Sequence, residues 1–130
     1  MSGKDSTREK RTQKRKAQRS GRWAESRAAW FLRLKGYRIL ERNWRHPVGE
    51  VDLIARRGGT LVFIEVKARP SEDQAREALQ PRQQQRILRA AEAWLARNPS
   101  CANMHIRFDL ITIVPGQRPQ HSKAAWSAPS

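Results

Sequence analysis

The chain has 130 residues, which is enough for one domain and too short for two. Its 27 Lys and Arg outnumber 12 Asp and Glu, and the net charge of +15 makes a polyanion the first partner to consider. The single cysteine excludes an internal disulfide framework and a cysteine-rich zinc site, and no apolar stretch is long enough to span a membrane. Because the N-terminus lacks the apolar stretch of a secretory signal, we expect a cytoplasmic protein with no membrane partner.

The two ends of the chain differ in composition from the middle. Residues 1–20 contain no Val, Ile, Leu, Phe, Trp or Tyr and hold eight Lys and Arg against two acidic residues, which predicts a disordered basic arm. The rest of the chain still carries a charge of +9, so the predicted domain, residues 21–114, is itself basic. Residues 115–130 are rich in Pro, Gln, Ser and Ala, and they predict a loose C-terminal tail with Trp126 as its one bulky group.

The first predicted element is a helix over about residues 22–35, with Gly36 in the position that commonly ends a helix. Glu25 is followed by apolar residues at +3, +4 and +7, which places its carboxylate on or beside the buried face. Trp23 and Trp30 also fall on helix stripes, and we predict that both rings belong to the core.

Three strands are predicted next, over Tyr37–Trp44, Glu50–Arg56 and Thr60–Lys67. The last two are joined by Gly58-Gly59, a strong signal for a two-residue hairpin turn. The alternation in the middle strand predicts one face made of Val51, Leu53 and Ala55.

A second helix is predicted to begin at Pro81 and to stop at Asn98-Pro99, with Trp94 on its apolar stripe. The segment between the strand that ends at Lys67 and the helix that begins at Pro81 is predicted as a polar loop. A final strand is predicted over about His105–Val114. The order αβββαβ, without an internal repeat, indicates an α/β fold.

The hairpin register brings two acidic residues together. If Gly58-Gly59 forms the turn, Asp52 lies opposite Glu65, and such a like-charged pair destabilises a hairpin. A divalent cation with oxygen ligands would compensate. Lys67 follows on the same face as Glu65, where it can steady a phosphate or a hydroxide. This arrangement predicts a metal-dependent phosphodiester site.

A structural interpretation stands beside the functional one. Acidic residues in strands usually belong to a solvated face with a lysine nearby. Here the strand over Thr60–Lys67 is apolar on both faces until it reaches its charges, as in a central strand. Buried charges need partners, so the residues favour a functional site without excluding the structural one.

Several short motifs resemble known families. A first-helix Glu25, Asp52 in Gly-Glu-Val-Asp-Leu-Ile, and Glu65-Val-Lys67 after Phe63 resemble the metal-site pattern of nucleases with the restriction-endonuclease core, which include archaeal Holliday-junction resolvases. More narrowly, a series of motifs matches in order the YraN-like bacterial proteins, over about residues 21–114. These motifs are Arg42-Asn43, Gly49-Glu50-Val51-Asp52-Leu53-Ile54, Phe63-Ile64-Glu65-Val66-Lys67 and Arg107-Phe108-Asp109.

The resemblance implies a mixed β-sheet flanked by helices and a role for each matching residue. Asp52 and Glu65 would be ligands of Mg²⁺ or Mn²⁺, with the carbonyl of Val66 as a third. Lys67 would be the catalytic cation, and Glu25 an outer ligand through water.

One position departs from the family pattern, because Gln83 stands where the second helix usually carries a lysine. Gln83 is therefore the candidate phosphate contact on this helix. The other candidates for nucleic-acid binding are consecutive in the chain and combine an aromatic ring with two cations. They are Arg42, Asn43, Trp44 and Arg45.

The remaining polar candidates are weaker. The three histidines, His46, His105 and His121, share no metal-ligand spacing, and we predict surface or turn positions for them. Asp109 and Arg107 lie on one side of a strand, which favours a structural ion pair.

The leading hypothesis is a metal-dependent endonuclease, or a derivative of one, that acts on DNA, including branched or repair intermediates. The first alternative is a nucleic-acid-binding protein that keeps the fold and has lost turnover. The second is an RNA-binding or ribosome-associated protein, because no motif here separates DNA from RNA. Resolution of branched DNA would imply a homodimer.

Overall fold

The computed structural model describes residues 22–127, so the predicted basic arm lies outside the described residues. Residues 22–34 form helix α1. The other elements, in chain order, are β1 (Arg38–His46), β2 (Gly49–Arg57), β3 (Thr60–Ala68), α2 (Glu72–Glu77), α3 (Pro81–Arg97), a 3₁₀ turn (Pro99–Cys101), β4 (His105–Ile113) and β5 (Gln120–Trp126).

The five strands form one mixed sheet in the order β1-β2-β3-β4-β5. Strands β3 and β4 are parallel, and the other neighbouring pairs are antiparallel. A parallel pair needs a crossover connection, which α2 and α3 provide. The predicted α/β fold is confirmed, and the sheet flanked by helices is consistent with a restriction-endonuclease-like core.

The hairpin between β2 and β3 has the predicted register. Gly58 has a φ of +58°, which suits a residue without a side chain at the turn. Arg57 pairs with Thr60, and the paired residues run without a shift as far as Leu53 and Ile64. The turn therefore fixes which side chains leave the hairpin at its far end.

Two hydrophobic layers cover the two faces of the sheet. The layer under α1 includes Ala28, Ala29, Leu32, Leu53, Ala55, Val62, Ile64, Ile111 and Ile113. The layer under α3 includes Val51, Ile54, Leu61, Phe63, Ile87, Ala91, Trp94, Phe108, Leu110 and Trp126. Because apolar side chains leave β3 on both faces, β3 is a central strand, as its sequence indicated.

The predicted alternation along β2 fails at one point. Leu53 and Ala55 pack in the layer under α1, whereas Val51 packs under α3 together with Ile54. The change of face occurs at Asp52, which lies between Val51 and Leu53 and just beyond the last residue of β2 that pairs with β3. Strand β1 still pairs with β2 on both sides of Asp52, so the change of face coincides with the end of the β2–β3 pairing only.

The C-terminal segment differs from the predicted loose tail, because residues 120–126 form β5 against β4. The ring of Trp126 is buried, and its centroid lies 5.6 Å from that of Phe108. The backbone N–H of Ala124 also donates to the carboxylate of Asp109 at 2.9 Å. These long-range contacts order a polar segment whose composition favours a loop.

Two further predictions are corrected. The predicted polar loop contains α2, whose first turn is capped by the Ser71 hydroxyl, which accepts from the Gln74 N–H at 3.2 Å. Trp94 is buried as predicted, but Trp23 and Trp30 are exposed, because α1 turns its small residues toward the sheet. Within residues 22–127, no helix is both long and apolar enough to cross a membrane.

Candidate functional site

A cleft of about 550 Å³ opens where β2 and β3 part. Residues of α1, β1, β2, β3 and α3 contribute to it, and the chain continuing beyond β3 adds one more. The lining residues are Arg22, Ala24, Glu25, Asn43, Arg45, Glu50, Asp52, Glu65, Val66, Lys67, Ala68, Arg69 and Gln83. The cleft thus brings together the predicted acidic residues, Lys67 and Gln83, although they come from four different elements.

Asp52 is held at the mouth of the hairpin by the backbone of the neighbouring strand. The N–H of Val66 donates to Oδ2 of Asp52 at 2.8 Å. The regular pairing of β2 and β3 ends one residue earlier, so the Asp52 side chain takes this donor beyond the ladder. The bond orients the carboxylate and ties it to the segment that carries Glu65 and Lys67.

Glu65 is buried, with 5% of its surface exposed, and two side chains contact it. The ammonium of Lys67 lies 3.1 Å from Oε1, and the side-chain amide of Gln83 donates to the same oxygen at 2.8 Å. Neither of these contacts uses Oε2. Gln83, on α3, therefore orients the Glu65 carboxyl of the cleft through its side-chain amide.

Nearby cations and hydrogen-bond donors offset only part of the cost of charging the carboxyl groups of this cleft. Burial, and then the negative charge of Asp52, raise the pKa of Glu65 to about 8, and Lys67 offsets this only in part. Burial also raises the pKa of Asp52, against the effect of the Val66 N–H.

Glu25 lies in the same cleft, on the buried side of α1, with 5% of its surface exposed. Burial and then the charge of Asp52 raise its pKa, and Arg42 opposes the shift. The Nε of Arg42 donates to Glu25 at 3.3 Å, and its Nη2 donates to the Ser26 hydroxyl at 2.8 Å. Arg42, predicted to contact nucleic acid, is thus engaged in holding α1 against β1.

The three residues after Arg42 have different surroundings. Asn43 lines the cleft with a φ of +50°, a left-handed conformation that is uncommon outside glycine and that the surrounding structure has to maintain. Trp44 is half-buried against the layer under α3 and stacks on the His46 ring at 5.6 Å, so it is not a free platform. Arg45 is exposed, lines the cleft and pairs with Glu50 at 3.5 Å.

The donors of the cleft fit a hard divalent cation with few protein ligands. Asp52 and Glu65 offer carboxylate oxygens, and the carbonyl of Val66 lies in the chain between Glu65 and Lys67. Within residues 22–127, no group of three or more His, Cys, Asp or Glu side chains is arranged to hold a metal ion. The set of protein ligands in the cleft is therefore small, which suits Mg²⁺ bound through one or two carboxylates, water and substrate phosphate.

A family model described as "Uncharacterised protein family UPF0102" matches residues 24–113. The chain belongs to the UPF0102 family. The YraN-like resemblance drawn from the short motifs is thereby confirmed. The match includes every cleft residue named from the sequence and ends before β5.

Three UPF0102 relatives show how much of the chain is shared. The protein of Maricaulis maris (strain MCS10) is 50% identical over 113 residues, which cover 87% of this chain and 89% of the relative. That of Bradyrhizobium sp. (strain ORS 278) is 53% identical over 110 residues, covering 85% and 78%. That of Rhodopseudomonas palustris (strain BisB5) is 53% identical over 105 residues, covering 81% and 80%. These names state the family and no reaction.

The UPF0102 chain also has a basic groove that was not predicted from the sequence. Arg82, Arg86 and Arg89 lie along one side of α3 and line an open groove of about 600 Å³ with Pro47 and Val48 of the β1–β2 turn. Their spacing of four and three residues places them on one helix face, which is the signal that would have found them. Gln83, one residue after the first of these arginines, reaches into the cleft.

Proposed function

We propose that this UPF0102 chain is a magnesium- or manganese-dependent endonuclease that acts on DNA. The main support is the pair of neighbouring carboxyls formed by half-buried Asp52 and buried Glu65, which have raised pKa values beside the ammonium of Lys67. Strongly perturbed carboxyls with a specific charged partner in a cleft are typical of functional sites.

Each residue of the cleft has a distinct part in this proposal. Asp52 and Glu65 would hold the ion, with the Val66 carbonyl as a further ligand. An ion bound there would supply an activated water and positive charge at the phosphate. Lys67 lies beside Glu65, where its ammonium can neutralise charge that develops on a phosphate oxygen.

The surroundings of the cleft support a polyanionic substrate. The arginine groove on α3 lies next to the cleft, since α3 contributes to both. Guanidinium groups spaced along a helix can follow a phosphate backbone, and such contacts supply affinity without reading sequence. The whole chain also carries a net charge of +15, which favours a negatively charged partner.

A second candidate is a nucleic-acid-binding protein without turnover, which includes an RNA-binding or ribosome-associated role. Gln83 favours it, because its amide is engaged with Glu65 and gives the cleft one cation fewer than a lysine would. The arginine groove would serve this function equally well, since its residues lie outside the acidic cleft.

The proposal is tested by incubating the purified protein with plasmid, single-stranded, flap and four-way-junction DNA, with and without Mn²⁺. We expect Asp52→Asn and Lys67→Ala each to lower cleavage at least about 100-fold while binding changes little. Glu50→Gln is the matched control, because Glu50 lines the same cleft with a side chain that is 63% exposed.

Cleavage that survives Asp52→Asn would contradict the assignment of the cleft. Wild-type protein that binds all four DNAs and cleaves none of them in Mn²⁺ would favour the second candidate. Binding and cleavage are therefore measured on the same samples.

A further inference from the structure

The face of α1 that points away from the sheet is apolar and aromatic. Trp23, Trp30 and Leu34 expose 53%, 63% and 83% of their surfaces. The spacing of seven and then four residues places them on one stripe of the helix. Large exposed apolar side chains grouped on one face indicate an interaction surface, whereas single ones do not.

Cations accompany the two rings. The guanidinium of Arg27 lies 5.0 Å from the centre of the Trp23 ring, and that of Arg33 lies 5.5 Å from the centre of the Trp30 ring. Glu25 is the only acidic residue in residues 22–34, and it is buried on the other side of the helix. The outer face of α1 thus combines aromatic rings and positive charge with no carboxylate.

This face adjoins the cleft. Arg22, Ala24 and Glu25, which flank Trp23 in the chain, line the cleft, so the first turn of α1 belongs to both surfaces. Trp30 lies about 10.5 Å farther along the helix axis, at 1.5 Å per residue. A polymer that leaves the cleft along α1 would meet Trp23 first and Trp30 next.

Charge and chemistry decide between the possible occupants. A second copy of the chain would bring Arg27 and Arg33 against the same cations, with no acidic residue on this face to pair with them. Duplex DNA offers phosphates, but its base faces are stacked inside. An unpaired strand offers phosphates to the arginines and free base faces to the rings, as in proteins that bind single strands through aromatic platforms.

We propose that the outer face of α1 binds an unpaired segment of the DNA substrate, with bases stacked on Trp23 and Trp30. The proposal rests on the nucleic-acid function proposed above and deepens it, because it makes DNA with a single-stranded part, such as a flap or a branched structure, the substrate class. The two rings are about 10.5 Å apart along the helix axis, so a segment of a few nucleotides reaches both.

The test measures binding of fluorescently labelled oligo(dT) and of a duplex of equal length by anisotropy, in EDTA so that no cleavage intervenes. We expect Trp23→Ala and Trp30→Ala each to weaken oligo(dT) binding by roughly fivefold or more, and the duplex to be affected much less. Trp30→Phe should restore most of the loss, because a phenyl ring still stacks. Leu34→Ala removes apolar surface from the same stripe without removing a ring, and it should weaken oligo(dT) binding less than either tryptophan variant does.

The outcomes separate this inference from the function on which it rests. Wild-type protein that binds neither DNA overturns both. Binding that is retained in full by the double variant Trp23→Ala/Trp30→Ala overturns the inference alone. Equal losses for oligo(dT) and duplex also overturn it. Light scattering that shows a wild-type dimer, split by Leu34→Ala as well as by the tryptophan variants, would identify the stripe as an interface between copies instead.

Discussion

Two buried carboxyl groups on neighbouring strands of the sheet show opposite electrostatics. Asp109 on β4 is fully buried, yet its carboxylate accepts two bonds from Arg107 at 2.8 Å, one from His121 at 2.7 Å and one from the Ala124 N–H. Burial raises the pKa of Asp109, but the bonds from His121 and Arg107 outweigh it and lower the pKa to about 2. Glu65 is almost as buried, and its pKa rises to about 8.

The difference teaches how to distinguish a structural carboxylate from a functional candidate. Burial penalises both charges, so burial by itself does not decide. Asp109 has donors on both oxygens, whereas Glu65 has a second carboxyl beside it and one cation. A site that remains poorly compensated in the folded protein is one that a bound cation would stabilise.

Replacing Asp109 is expected to have the largest effect on this comparison. Asp109→Asn removes the charge that Arg107 faces at 2.8 Å, and breaking a buried pair in this way costs about 3–5 kcal/mol. Urea unfolding of the metal-free protein measures the loss. A change below about 1 kcal/mol would show that the neighbouring donors find other partners, and Asp109 would lose its structural role.

The two carboxylates should also give opposite pH dependences in metal-free protein. Asp109 has a lowered pKa, so the stability it contributes is present above about pH 4 and is lost as the pH falls toward 2. Glu65 has a raised pKa, so its contribution is complete below about pH 4.5 and is lost as the pH rises toward 8.

Free energies of unfolding at pH 5 and pH 8, measured in EDTA, test the second part of this prediction. We expect wild type to be less stable at pH 8, and Glu65→Gln to reduce that difference while the loss below pH 4 remains. A wild-type protein that is more stable at pH 8 than at pH 5 would contradict the raised pKa of Glu65.

The smallest expected effect has the opposite sign to that of Asp109→Asn. Asp52→Asn removes one of two repelling carboxyls, so it should raise the stability of the metal-free protein by about 1 kcal/mol or less. It should also abolish stabilisation by millimolar Mn²⁺. Melting curves of wild type, Asp52→Asn and the control Glu50→Gln, with and without Mn²⁺, measure both effects. A fall in melting temperature with an unchanged response to Mn²⁺ would show that Asp52 serves mainly as a structural partner of Lys67 and Val66.

Much of the cleft could be predicted from local sequence. Gly58-Gly59 set the hairpin register, and the period of two along β3 placed Glu65 and Lys67 on one side. The spacing from Glu25 to Leu32 placed an acidic residue on the buried face of α1. Such inferences succeed because a turn and a helical period relate residues that are close in the chain.

The tertiary structure alone decided which surface each helix and strand packs against. The apolar residues of α1 fall on more than one stripe, and the periodicity does not tell whether the tryptophans also meet the sheet. The structure buries the alanines and exposes Trp23 and Trp30. His121 was predicted at the surface, but β5 carries it into the Asp109 cluster with a side chain that is 3% exposed. Trp126 becomes buried in the same way, because β5 pairs with β4. The composition of residues 115–130 predicts how this segment behaves by itself. The pairing of β5 with β4 supplies the free energy that orders it.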